Sequence, residues 1–485
     1  MAAQRVRTPY WVTFIVLAVA TASFALMQSM TVPVIPTIEE HMHTDQSTVT
    51  WVLTAYLLSA SVFTPIIGRI GDAVGKGRML VFSLSMLCAG SVLAALSPTI
   101  GVLIIARMVQ GVGGGVLPLS FGIIRDEFPH RKVAGAVSVV SSLMAVGFGA
   151  GIVLGGPIAD GLGYAWLFWL PAIVTATAGL AALVFVPESP VRTPGRIPVL
   201  PALLLSAWLC ALLLAISRAP HWGWGSPVVI GLVVFAAIVA TTWVLVERRA
   251  PVPLVDMRMM RLRGVWTTNL VALLVGVGMY ASFAFLPQFI QTPTHTGYGF
   301  GSSVTESGLI LLPMAISSFI TGLIAAPLAR RISPKGVVVF GTSLAAIAMF
   351  IMAFVNNEIW QVAAVSGISG FGVGLTFACL ASLIVGAVPP EQTGVASGMN
   401  ANIRTIGGSI GSAAMSSIVA AQLLPDGLPA ESGYTHGFAL LGAVFLVAAA
   451  AGLTIPAVSE EELEERLEAP PTSVVGAGSA RISPH

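Results

Sequence analysis

Three places in this chain put charge where a largely apolar sequence has little to hold it. Arg107 stands inside an apolar run in LIIARMVQGVGGG, residues 103–115, with Gln110 one turn further on. Arg404 stands inside another in NIRTIGGSIG, residues 402–411, flanked by Asn400 and Asn402. The stretch GRIGDAVGKGRM, residues 68–79, gathers Arg69, Asp72, Lys76 and Arg78 among four glycines. A charge inside a bilayer costs roughly 2.5–3.5 kcal/mol on insertion scales, so each in-run arginine must face a cavity or a polar partner. A carboxylate in a tight glycine turn at the membrane surface can meet the positive end of a helix or an arginine such as Arg125, and making or breaking that contact biases one conformation. This is switching chemistry rather than covalent catalysis. No His, Cys or Ser cluster has catalytic spacing, and Cys88, Cys210 and Cys379 have no zinc or redox pairing and read as small core residues. Plainer readings stand beside these: a basic loop with an incidental acid around Asp72, and arginines bonded to backbone carbonyls at 107 and 404.

The elements that carry these residues follow from composition. The chain is 56% hydrophobic and 9% charged over 485 residues, and the apolar excess falls into runs of the length a bilayer-crossing helix needs, about 20 residues. Fourteen runs are legible, at 10–34, 51–67, 79–96, 100–124, 134–157, 165–186, 199–216, 228–246, 265–290, 308–328, 337–355, 361–388, 394–423 and 437–455. With the first residues inside, every basic residue falls on the inner side except Arg218, Arg107 and Arg404, a strong positive-inside pattern that one missed span would reverse. Both termini are therefore expected in the cytoplasm. The first run is too long for a cleavable signal peptide. A net charge of +2 points to no nucleic-acid partner.

The two halves look duplicated. Gly111 and Gly113 precede Pro129 by 18 and 16 residues, and Gly372 and Gly374 precede Pro390 by the same intervals. The charged loop at 68–79 has a degraded echo, PLARRISPKG, at 327–336. Transporters are commonly built from such repeats, with a substrate site between them near the midplane.

GRIGDAVGKGRM resembles the loop between spans two and three of the major facilitator superfamily. LIIARMVQGVGGG is similar to the family's span-four arginine motif, GFGAGIVLGGP (147–157) to its span-five antiporter motif, and NIRTIGGSIG to span thirteen of the 14-span drug:proton antiporter branch. The resemblance covers the whole chain and implies an all-α integral membrane protein with fourteen transmembrane helices. By composition 459–485 reads as an acidic, then disordered, cytoplasmic tail, while residues 1–190 would form one six-helix bundle, 191–262 two extra helices and 263–458 a second bundle. It also implies roles: a conformational switch at Gly68, Asp72, Gly75 and Arg78, proton coupling at Arg107 with Arg404 as its counterpart, and an antiport helix at Gly147, Gly151, Gly155 and Gly156, read as one flat strip with Gly149. Two departures count. Ile152 stands where the antiporter motif usually has proline, and the branch's span-one Asp position falls near Met27 and Gln28. No Asp or Glu lies at the centre of any run, so candidates for the proton carrier retreat to run ends: Asp72, Asp126, Glu127 and Glu306.

Met27, Gln28, Tyr56, Gln110, Tyr280, Phe283 and Asn400 are the expected substrate contacts, an apolar, aromatic and neutral-polar set suited to lipophilic ligands. The expected protein is a monomeric secondary exporter of lipophilic small molecules in a bacterial cytoplasmic membrane, driven, as the resemblance implies, by inward proton flow and needing no cofactor; no P-loop signature suggests ATP. A lipid or envelope-precursor exporter and a non-transporting membrane sensor remain the alternatives.

Overall fold

In hydrocarbon a lone chain segment satisfies its backbone only as a helix, and this chain does so throughout. A computed structural model describes residues 9–457 except 45, 50, 190–197, 252 and 426. The proposed tail at 459–485 lies outside them. Fourteen helices of 20 residues or more follow in order: α1 Tyr10–Met30, α2 Trp51–Val74, α3 Lys76–Ala95, α4 Ile100–Glu127, α5 His130–Leu162, α6 Trp166–Phe185, α7 Val199–Trp222, α8 Pro227–Arg249, α9 Arg263–Gln291, α10 Val304–Ile332, α11 Pro334–Phe354, α12 Ile359–Gly386, α13 Thr393–Ala420 and α14 Glu431–Gly452. A 20-residue helix spans about 30 Å, the thickness of the hydrocarbon layer.

Thirteen of the fourteen are apolar enough to cross a membrane by hydropathy alone. The exception, α13, owes its polarity to Asn400, Asn402, Arg404 and a series of serines, and the two asparagines and the arginine are all buried. Its polar groups turn inward because the lipid outside has nothing to offer them. Helix α8 is the opposite case: Val228, Ile230, Val234, Phe235 and Ile238 are exposed, as a lipid-facing surface requires.

Several boundaries differ from the sequence expectation. Helix α1 ends at Met30, and the rest of the expected run, to residue 34, is a turn leading into a short helix, Ile35–His41. Helix α4 tightens into a 3-10 turn at Gly113–Gly115. Helix α7 runs past the expected end at 216 to Trp222, so Arg218, expected in an outer loop, is helical and 2% exposed. Its guanidinium lies 4.2 Å from the centre of the Trp51 ring, a cation–π contact that rewards the longer helix.

Packing follows the expected duplication. Helix α4 packs on α2 and α3, and α12 packs on α10 and α11. In both, two glycines two residues apart admit the two preceding helices, but in opposite order: Gly111 approaches Ser59 and Ala60 of α2, Gly113 approaches Ser83 of α3, Gly372 meets Gly341 of α11, and Gly374 meets Ser318 of α10. The turn before α3 places Gly75 at φ +136°, and the turn before α11 places Ser333 at φ +70°. The echo of the charged loop therefore preserves a backbone shape after its acid has gone. Across the midpoint of the sequence, α5 meets α10 and α12, α2 meets α13, and α7 meets α2 and α13.

The glycines of α5 do not form one strip. Gly147, Gly151 and Gly155 face α1, where a Cβ would come within 2.7 Å of the Ala22 carbonyl, 2.6 Å of that of Leu26 and 2.9 Å of that of Met30. Gly149 and Gly156 face α10 instead, against Ala315 and Thr305. A four-residue step stays on one helix face, whereas 149 and 156, seven apart, define another. Gly151→Ala should therefore lower the melting temperature measurably, because backbone carbonyls cannot step aside. Gly161→Ala, which meets nothing within 4 Å, should leave it unchanged or slightly raised through the helix propensity of alanine, about 1 kcal/mol over glycine. Equal melting temperatures for the two variants would refute the packing assignment.

Candidate functional site

At the end of the molecule that carries Asp72, helices from the two halves touch directly. A Cβ on Gly68 would lie 2.7 Å from the Gly394 carbonyl oxygen, and one on Gly394 would lie 2.9 and 3.0 Å from the two carboxylate oxygens of Asp72. Only glycine at both positions lets α2 and α13 approach so closely. Asp72 is 1% exposed, with its carboxylate against Gly394 and Val395 in the first turn of α13, where free N–H groups and the helix dipole favour a negative charge. Lys76 Nζ stands 3.6 Å from Asp72 and 2.7 Å from Asp126, so one buried ammonium serves two carboxylates. Asp126 is also the acceptor for the Ser189 hydroxyl.

Arg125 completes the closure. Its Nη1 donates to the carbonyls of Val385 (2.6 Å) and Val388 (2.7 Å) and to the Thr393 hydroxyl (2.9 Å), all in the other half. Ser138 of α5 pairs with Ser382 of α12 at 2.9 Å. Gly75 and Arg78 take a different place: the Glu188 carboxylate lies over Gly75, accepts from Gly77 N–H (3.3 Å) and stands 3.4 Å from Arg78, whose side chain is 69% exposed. The turn is thus tied to the chain after α6, not to the other half.

Arg107 is fully buried within the first half. It donates from Nε to the Val52 carbonyl (3.2 Å) and from Nη1 to Gln110 Oε1 (2.7 Å), and its guanidinium stands 4.5 Å from the Tyr56 ring centre. Gln110 is fixed in turn by the Ser91 hydroxyl at 2.9 Å, and Ser91 reaches Met27 Sδ at 3.5 Å. Met27, Tyr56 and Gln110, expected to touch substrate, thus form a shell around Arg107. Asn400 bonds Asn269 at 2.8 Å within the second half.

Gln28 and Tyr280 do meet at the junction of the halves, with the Gln28 amide 3.5 Å from the Tyr280 hydroxyl. Phe283 stacks on Phe148 of α5 at 4.8 Å between ring centres. Gln28 and Tyr280 line a gap of about 30 Å³ together with Arg404, Asn402 and Thr64. Leu57, Tyr280 and Thr405 line it and also a larger cavity of about 230 Å³ between α2, α7, α9 and α13, whose other walls include Leu53, Phe285 and His221. No Asp or Glu lines either space. Glu306 stands apart at the start of α10, where it forms a capping box with Ser303. Glu127 is the last residue of α4.

Sequence reading missed Leu57 and Thr405 because neither is unusual in an apolar helix; only the crossing of α2, α9 and α13 makes them wall residues. It also missed α7 as part of the cavity, since an apolar helix between two repeats gives no sign of which groove it fills.

The closure at the Asp72 end gives a direct expectation. Cysteines introduced at Ser138 and Ser382 should cross-link readily under mild oxidation, and adding Gly394→Val should reduce the yield several-fold, because the new side chain occupies the space of the Asp72 carboxylate. Unchanged cross-linking would show that the α2–α13 contact does not hold this end shut.

A sequence model of the Major Facilitator Superfamily matches the chain on two overlapping stretches, residues 17–412 and 268–484. The chain is similar to the multidrug resistance protein B homolog of Mycobacterium tuberculosis, with 30% identity over 390 residues covering 78% of this chain and 70% of that one. It is 28% identical to the multidrug transporter protein MdtP of Bacillus subtilis over 404 residues, 80% of this chain and 73% of that one. Among solved structures, the human organic anion transporter MFSD10 (TETRAN) shares the fold with a TM-score of 0.64 at 16% identity, over 92% of this chain and all of that one. With its helical membrane architecture and these matches, the chain belongs to the major facilitator superfamily and is a multi-pass membrane transporter, not an enzyme.

Proposed function

We propose that this protein is a secondary active exporter of lipophilic small molecules, working by alternating access and driven by inward proton flow. The observation that carries the reading is the cavity between α2, α7, α9 and α13, with walls from both halves and an end toward Asp72 shut by a few side-chain contacts. Its apolar and aromatic walls suit lipophilic ligands. The names of the multidrug relatives support the same substrate class. Residues 1–190 and 263–458 act as the two rocking bundles, with 191–262 inserted between them, and both termini in the cytoplasm.

Proton uptake acts on the Asp72–Lys76–Asp126 group. Asp72 is the more loosely held of the two carboxylates around Lys76, 3.6 Å from its ammonium against 2.7 Å for Asp126, with Arg69 and Arg125 also buried nearby. A proton arriving there weakens the hold of Asp72 on the first turn of α13 and frees that end to open. Arg107, locked by Val52, Gln110 and Tyr56, serves as a rigid brace within its bundle rather than as the carrier, and Glu306 fixes the start of α10.

Efflux of a lipophilic fluorescent dye from proteoliposomes tests the proposal. Dye should leave faster when an imposed pH gradient drives protons in the opposite direction. Asp72→Asn should insert normally and lose about tenfold in gradient-driven rate, a loss typical of one coupling contact. Efflux indifferent to the gradient would remove the proton drive, and wild-type efflux from Asp72→Asn would remove the switch.

A further inference from the structure

We propose that the central site selects lipophilic anions, with Arg404 receiving the anionic group; this rests on reading the cavity as the transport site. Arg404 is 6% exposed, and what surrounds it is neutral. Its guanidinium lies 4.2 Å from the Phe377 ring centre and shares the gap with Tyr280, while its Nε, also buried, has no partner. A cation kept in a low-dielectric interior without a counter-charge is costly, and an anionic ligand would supply both the missing charge and the missing acceptor.

The two in-span arginines differ in what they face. Arg107 is enclosed by its own bundle, spends Nε and Nη1 on a carbonyl and an amide, and leaves Nη2 without a partner but lines neither space. Arg404 lines the 30 Å³ gap, which adjoins the 230 Å³ cavity across Leu57, Tyr280 and Thr405, the residues that line both. A ligand with a flat apolar body in the larger space and a carboxylate or phenolate at one end would place that end beside Arg404. Gln28, on the first half, reaches the Tyr280 hydroxyl at 3.5 Å and lines the same gap. An anion in that gap would therefore be held by groups from both halves. Tyr280 and His221 are the other titratable side chains that line these spaces, and no carboxylate is present to attract a cation.

The test is equilibrium binding to the purified full chain in lipid nanodiscs with three probes of matched size: 2-naphthoate, the neutral 2-naphthamide and the cationic 2-naphthylmethylammonium. Naphthoate should bind at least about tenfold more tightly than the other two, the difference expected of one charge-assisted contact. Arg404→Gln should remove that preference and Arg404→Lys should keep part of it. If Arg404→Gln does not fold, the ranking of the three probes on the native protein decides alone. Equal or tighter binding of the ammonium or the amide, no naphthoate binding, or a naphthoate affinity untouched by Arg404→Gln overturns the proposal. Binding is measured without a gradient, so a protein that binds naphthoate yet moves nothing fails only as a transporter. Efflux of cationic dyes that naphthoate does not inhibit would leave the transport reading standing and defeat this one.

Discussion

The carboxylate of Asp72 set against the first turn of α13 is the contact on which the arrangement depends. It joins the two halves at one end, and it exists only because Gly68 and Gly394 let two backbones meet. A helix N-terminus offers unpaired N–H groups and partial positive charge, so the attraction is strong while Asp72 is ionised and weak once it is protonated. Arg125 adds three bonds across the same junction, two of them to backbone carbonyls near the end of α12. A closure built from so few polar contacts, away from water, can be shut firmly and still be opened by one proton.

The interior obeys the inverse of the rule for soluble proteins. Lipid accepts apolar surface at no cost, so the exposed faces of α8 and α6 are rich in valine, leucine, isoleucine and aromatic side chains, while many polar groups collect inside. That interior is uneven in charge. Arg107 and Arg404 are buried within their helices, whereas the buried carboxylates of Asp72, Asp126 and Glu247 gather toward helix ends, where Lys76 and Arg125 are buried as well. Glu247 is taken by the backbone N–H groups of Leu254 and Val255, at 2.9 and 3.2 Å. The centre of the molecule is left positive, with aromatic faces and neutral polar groups holding its arginines in place.

Much of this was legible in the sequence, and the misses have physical causes. Fourteen runs of spanning length gave fourteen long helices, because hydrocarbon leaves the backbone no alternative. The glycine spacing in α5 correctly announced close approach but not which neighbour would approach, since 147, 151 and 155 share a face that 149 and 156 do not. Arg107 and Gln110 were legible as a pair from their one-turn spacing, and they meet at 2.7 Å. The residues expected to touch substrate divided into three groups: Met27, Tyr56 and Gln110 with Arg107, Asn400 with Asn269, and Gln28, Tyr280 and Phe283 at the junction. An aromatic or amide on a central helix has several inward directions, and only the crossing of helices decides which one leads to the cavity. Arg218 was misplaced because hydropathy ended α7 before its final turn, where the ring of Trp51 makes a cation acceptable.

Distances across both ends of the same molecule test the central claim most directly. Spin labels at exposed positions, Val74 with Arg331 at helix ends toward the Asp72 end and Leu162 with Leu423, just beyond α13, toward the opposite end, would be measured by pulsed electron resonance at neutral and acidic pH. If protonation releases Asp72 from α13, acid should lengthen the first distance and shorten the second. Distances that both stay fixed, or that lengthen together, would contradict a two-ended exchange controlled by that one carboxylate.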